Sequence, residues 1–260
     1  MAVRTPHSEG IDRTYSSREC SFLTRLWQLR LLEGGSRLLG FRASCQGRRG
    51  ATVITVLDYG SGNVESVFNA MRRVTDRAAR AWDADSLQTS EAVVLPGVGA
   101  LPAFMEALGR LGLVEPLQRV IADGMPCLGI CVGMQALGEW GLEHEVTPGL
   151  GVATGTVASL SSLGVISKRL PHVGWNGVRL SADLPADSPL GVLIDRDVYF
   201  MHSFAFAAET PSAVGWTDYE VEFCSAVQKG NSLGIQFHPE KSQQTGLDFL
   251  DAWVRSVGKT

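Results

Sequence analysis

The chain has 260 residues, 45% of them hydrophobic and 19% charged, the balance of a globular protein able to bury a full core. There is no run of the roughly 18 apolar residues that a membrane span needs, and a net charge of −4 excludes a generally basic nucleic-acid binder. The five cysteines (Cys20, Cys45, Cys127, Cys131 and Cys224) are odd in number and widely spaced, which makes a poor disulfide framework and fits a reducing compartment such as the cytoplasm.

Charge divides the chain near residue 50. Residues 1–50 hold nine arginines, no lysine and four acids, a balance of +5 that leaves −9 for the rest. A basic leader over 1–52 is therefore expected, followed by an acidic body over 53–260. The leader admits three readings: an Arg- and Ser-rich targeting segment, a disordered interaction tail, or residues upstream of a true start at Val53. The third is preferred, because a valine at the head of the body's first strand fits a GTG start codon read as internal.

In chain order, Val53–Leu57 is a short β-branched run expected to be a buried strand. A glycine-rich turn follows, Asp58 to Asn63. Val64, Val67, Phe68 and Met71 then recur at helical spacing. Ala92–Leu95 is expected as a second strand, stopped by Pro96-Gly97. Next come a helix with Phe104, Leu108 and Leu111 inward and another with Leu117, Val120 and Ile121 inward. Pro126–Ile130 is the third strand. Strands alternating with helices at this rhythm predict a parallel sheet covered by helices. Further strands are expected at Gly151–Leu160, Gly174–Leu180, Val198–Phe206, Ala213–Asp218 and Gly234–Phe237. A closing helix should turn Leu247, Leu250, Val254 and Val257 inward.

Three segments carry chemistry. Gly129-Ile130-Cys131-Val132-Gly133 has the form of a nucleophile elbow, in which a strand meets a helix at a sharp turn and glycines flank the apex. Cys131 would sit at a helix N-terminus, which favours a thiolate, and the N–H of Val132 would point to where an oxyanion forms. Phe237-His238-Pro239-Glu240 places a carboxylate two residues beyond a histidine, on the same side of an extended chain, where it can orient the imidazole as a base. Pro96-Gly97-Val98-Gly99-Ala100 follows a strand with small residues whose N–H groups can approach a ligand. Taken singly, each has an ordinary explanation: a core cysteine, a surface ion pair, a turn. Together, each at a strand end of one sheet, they point to a Cys131–His238–Glu240 triad.

These motifs resemble the class I, triad-type glutamine amidotransferases. Asp58–Asn63, Leu95–Ala100, Pro171-His-Val-Gly-Trp-Asn176, Tyr199–Phe204 and His238–Ser242 narrow the likeness to the glutaminase subunits of imidazole glycerol phosphate synthase, over nearly all of 53–257. The resemblance implies an α/β fold with a mostly parallel central sheet flanked by helices. It also implies hydrolysis of glutamine through a Cys131 thioester. His238 would serve as base and then acid, oriented by Glu240. Gly97, Val98 and the N–H of Val132 would supply oxyanion contacts, and Gly99, Gln135, His202, Ser203 and Phe204 would bind glutamine. No metal or organic cofactor is implied. Ammonia would pass to a separate (β/α)₈-barrel cyclase in a heterodimer of histidine biosynthesis, with Asn63, Trp175 and Lys241 as interface candidates.

Phe204 stands where the family usually has tyrosine, and Asp218-Tyr219-Glu220 where Tyr-Gly is common. Three alternatives stay open: a class I subunit serving another pathway, a free-standing γ-glutamyl hydrolase, or an inactive scaffold.

Overall fold

The structure, a computed structural model, describes residues 53–60 and 63–258; the leader expected over 1–52 lies outside them. The first half alternates strands β1 (Ile54–Leu57), β2 (Ala78–Ala81), β3 (Ala92–Gly97) and β4 (Cys127–Cys131) with helices α1 (Val64–Val74), α2 (Ala84–Gln88), α3 (Leu101–Arg110), α4 (Val114–Ala122) and α5 (Val132–Ala136). The second half is mainly β: β5 (Trp140–Gly141), β6 (Thr147–Pro148), β7 (Thr156–Ser159), β8 (His172–Gly177), β9 (Arg179–Leu180), β10 (Asp197–His202), β11 (Phe204–Ala207), β12 (Ala213–Tyr219), β13 (Val221–Lys229) and β14 (Ser232–Ile235). Helix α6 (Gln243–Ser256) follows.

Five strands, in the order β2-β1-β3-β4-β14, run parallel and form the centre of the fold. β1, β3, β4 and β14 are buried along their whole length, as continuous apolar runs covered on both faces should be. Helix α1 buries Val64, Val67, Ala70 and Met71, with Glu65 in its first turn and Arg72 and Arg73 in its last, each on the side its dipole favours. Beyond β14 the sheet turns antiparallel through β13, β11 and β7. A separate antiparallel ribbon pairs β8 with β10. Among the described residues no helix is long and apolar enough to cross a membrane.

Several elements depart from the sequence expectation. β3 does not stop before Pro96-Gly97 but runs through both, because β1 pairing ends at Val94 and Pro96 owes no N–H to that neighbour. The single strand expected over Val198–Phe206 is two, β10 in the ribbon and β11 in the main sheet, with the chain crossing at Ser203. Of Gly151–Leu160 only β7 is strand, since Gly151 (φ +68°) and Gly155 (φ +142°) take conformations a strand does not allow. Leu111 caps α3 and is exposed, and Leu113 fills the core in its place. Leu117 is buried as expected, whereas Val120 and Ile121 are only half-buried. In α6 the inward face also includes Phe249 and Trp253; Leu247 is half-buried, and Val257 is buried just past the helix end.

Candidate active site

β4 delivers Cys131 to the carboxyl end of the parallel sheet, where open α/β sheets gather ligands. Cys131 caps α5 with φ +54° and ψ −109°, a strained backbone for a residue with a side chain. The flanking glycines are required by contact. A Cβ on Gly129 would lie 2.6 Å from the Gly133 carbonyl oxygen, and one on Gly133 would overlap the Leu95 carbonyl. The expected elbow is therefore present, its apex pressed against β3.

His238 arrives three residues past β14. Its backbone N–H donates to the Tyr199 carbonyl at 2.8 Å, and its carbonyl accepts from the Ser242 hydroxyl at 2.7 Å. The His238–Glu240 pair forms, but through a 3₁₀ turn at Pro239–Lys241 rather than an extended chain, because proline at the first position of such a turn supplies the φ it needs. Nδ1–H of His238 donates to Glu240 Oε1 at 2.8 Å, which fixes the tautomer and leaves Nε2 for the sulfur. Both side chains are buried, and Nε2 has no hydrogen bond in this structure. Burial works against charge on the ring. The neighbouring Cys131 and Glu240 outweigh it and raise His238 from 6.5 to about 9.

Asn63, expected at an interface, donates from Nδ2 to the same Glu240 oxygen at 2.5 Å. Trp175 and Lys241 do share a surface: Trp175 lies across the ribbon from Tyr199, with ring centroids 6.0 Å apart, and Lys241 Nζ sits 6.0 Å over the Tyr199 ring. Trp175 is 45% exposed, so it is not the core aromatic that Trp most often is.

Cys131 and His238 line one cavity of about 230 Å³ with Val98, Gly99, Val132, Gln135, His202, Ser203 and Phe204. Gly97 alone of the expected glutamine-contacting set lies outside it. It is the last residue of β3 and lacks a side chain because a Cβ there would meet Gly133 N at 2.6 Å.

His202 and His172 form a buried pair. His202 donates from Nδ1 to the Phe204 carbonyl at 2.9 Å and accepts from His172 Nδ1 at 3.1 Å. Burial pushes His202 down to about 3. Burial, helped by the Lys168 charge, takes His172 to about 4, so this wall is polar but uncharged at neutral pH.

Three lining residues were given no site role by the sequence reading: Pro171, Glu143 and Met201. Glu143 is the only acid among the lining residues and accepts the Leu101 N–H at 2.9 Å. Met201 belongs to the exposed ribbon face yet also borders the cavity. Glu143 lies in no recognisable motif, whereas Met201 falls inside the Tyr199–Phe204 segment, where the alternation along β10 turns it outward. No group of three or more metal-ligating side chains occurs among the described residues.

Comparison with known proteins agrees with this geometry. The family model for glutamine amidotransferase class-I matches residues 55–254. The imidazole glycerol phosphate synthase subunit HisH of Symbiobacterium thermophilum is 43% identical over 205 residues, 78% of this chain and 94% of the relative. The subunit of the same name from Rhodopirellula baltica is 41% identical, covering 78% and 97%. Among solved structures, PurLQS from Thermotoga maritima aligns with a TM-score of 0.61 at 17% identity, over 79% of this chain and 99% of that one. A glutamine amidotransferase crystal structure aligns at 0.59, also at 17% identity, over 78% and 99%.

Proposed function

The chain belongs to the class I glutamine amidotransferases, alongside the HisH subunits of imidazole glycerol phosphate synthase, and from that membership we propose how its own residues free ammonia from glutamine. The observation that carries the proposal is the convergence, on one cavity, of a strained cysteine at a helix start and an imidazole whose tautomer a buried carboxylate fixes.

Glutamine enters with its side-chain amide at Cys131. His238 Nε2 takes the thiol proton, and the sulfur attacks the amide carbon. The oxyanion faces the N–H of Val132 and the Val98–Gly99 backbone. His238 gives its proton to the departing nitrogen, the C–N bond breaks, and ammonia leaves a γ-glutamyl thioester. Water, losing a proton to His238, then cleaves the thioester to glutamate and restores the thiol. Glu240 keeps the imidazole in place and stabilises its charged form. Glu143 offers a carboxylate to the α-ammonium of glutamine, while Gln135 and Ser203 provide polar contacts. Phe204 packs with its ring alone.

The ammonia goes to a cyclase subunit of (β/α)₈ type, in a cytoplasmic heterodimer of histidine biosynthesis. The exposed apolar face of the ribbon (Val173 51%, Trp175 45%, Met201 38% exposed) is the surface suited to that partner. It lies beside the cavity, because Met201 belongs to both.

The test is Cys131→Ala in the reconstituted complex. Glutamine-dependent synthesis should fall by about 10⁴-fold or more, and synthesis from added ammonium salt should persist. Loss of both activities contradicts the division of labour.

A further inference from the structure

A buried amide touches the sulfur. Gln236 is fully buried, and its backbone N–H reaches the Ser225 carbonyl at 2.9 Å, carrying the β13–β14 pairing one residue further. Phe237 packs between Phe200 and Phe249, with centroid distances of 6.1 and 5.5 Å. On either side of it, Gln236 and His238 both face Cys131. Gln236 Nε2–H donates to Cys131 Sγ at 3.5 Å.

The orientation of this amide is fixed from behind. Gln236 Oε1 accepts from Gln135 Nε2 at 3.2 Å, and the same Gln135 nitrogen donates to the Phe204 carbonyl at 2.9 Å. Turning over the Gln236 amide would set two NH₂ groups against each other, so only an N–H can face the sulfur. Burying an amide is costly unless its groups are used, and here both ends are.

We propose that Gln236 is a catalytic residue: its N–H holds the sulfur of Cys131 as an anion facing the cavity, and its oxygen ties that anion to the glutamine-binding wall through Gln135. The proposal rests on the reading of Cys131 as nucleophile. A charged acceptor gains about twice as much from such a donor as a neutral one. The donor therefore favours the anion twice: when the thiol gives up its proton to His238, and when the thioester C–S bond breaks with its electron pair returning to sulfur. The titratable groups around the sulfur are His238 with Glu240 behind it, and His202 and Glu143 across the cavity. A change at Gln236 leaves all four in place.

The experiment follows alkylation of Cys131 by iodoacetamide in the full chain, at neutral and at strongly alkaline pH, by peptide mass spectrometry. In Gln236→Met the neutral rate should fall about tenfold, while the alkaline rate, where the thiolate forms unaided, stays within about twofold. Gln236→Glu keeps the acceptor for Gln135 but places an oxygen against the sulfur. It should lose more, and it carries the test if the methionine variant does not fold. A neutral-to-alkaline ratio equal to that of the parent in a folded variant overturns the proposal. A parent Cys131 that reacts no faster at neutral pH than free cysteine overturns instead the reading of Cys131 as an activated nucleophile.

Discussion

Between β3 and the turn after β4, backbone packs directly on backbone. Gly97, Gly129 and Gly133 have no room for a methyl group, and no apolar side chain of β3 or β4 reaches solvent. The β8–β10 ribbon is built the other way. It is held by cross-strand pairs, and it leaves Val173, Trp175 and Met201 in water. The first region completes itself: its geometry is fixed by contacts inside the chain. The second is an unfinished surface whose apolar side chains gain most when another protein covers them. The cavity lies where the two meet, so one wall is rigid by construction and the other is open to influence from outside.

The largest test of this contrast is Gly133→Ala. The added carbon overlaps the Leu95 carbonyl, so one strand or the elbow must shift. Stability should fall by about 3 kcal/mol or more, seen as a lower urea midpoint. A change under about 1 kcal/mol would mean that the rigid wall is softer than described.

Trp175→Ala should do the reverse. Folding stability should stay within about 0.5 kcal/mol, as for an exposed site, while cyclase binding weakens by about 2 kcal/mol, read by calorimetric titration. Equal binding by parent and variant would remove the ribbon from the interface.

The smallest effect concerns Glu220, whose carboxylate accepts backbone N–H groups of Ile166, Ser167 and Lys168, just before the ribbon. The N–H groups of Lys168 and Ser167 lead in drawing it from 4.5 down to about 2. Its contribution is therefore present above about pH 4.5 and is lost as pH falls through about 2. In Glu220→Gln, amide exchange at 166–168 should speed up severalfold at neutral pH, with the melting temperature nearly unchanged. Unaltered exchange would show that this anchor holds nothing.

The parallel half was largely legible from the sequence because its signals are strong: β-branched runs, helical spacing, glycines around Cys131. Four strands of the sheet were not: the two-residue β5 and β6, and β2 and β13. β2 is Ala-Ala-Arg-Ala at the sheet edge, with little strand preference. β13, the longest strand, carries Cys224, Ser225 and Ala226 buried in succession, so no alternation marks it. The triad was readable because each member sits in a tight motif. Gln236 and Glu143 were not, since a polar residue beside an apolar strand or in a loop has no pattern until the chain folds around it.

Strand β14 lies between β4 and β13, both made earlier on the ribosome. The growing chain thus lacks the middle of this sheet until β14 emerges, after both of its neighbours. Cys131 is synthesised long before His238. A chain extended past the nucleophile but not yet past β14 holds the sulfur without the base that would start the reaction.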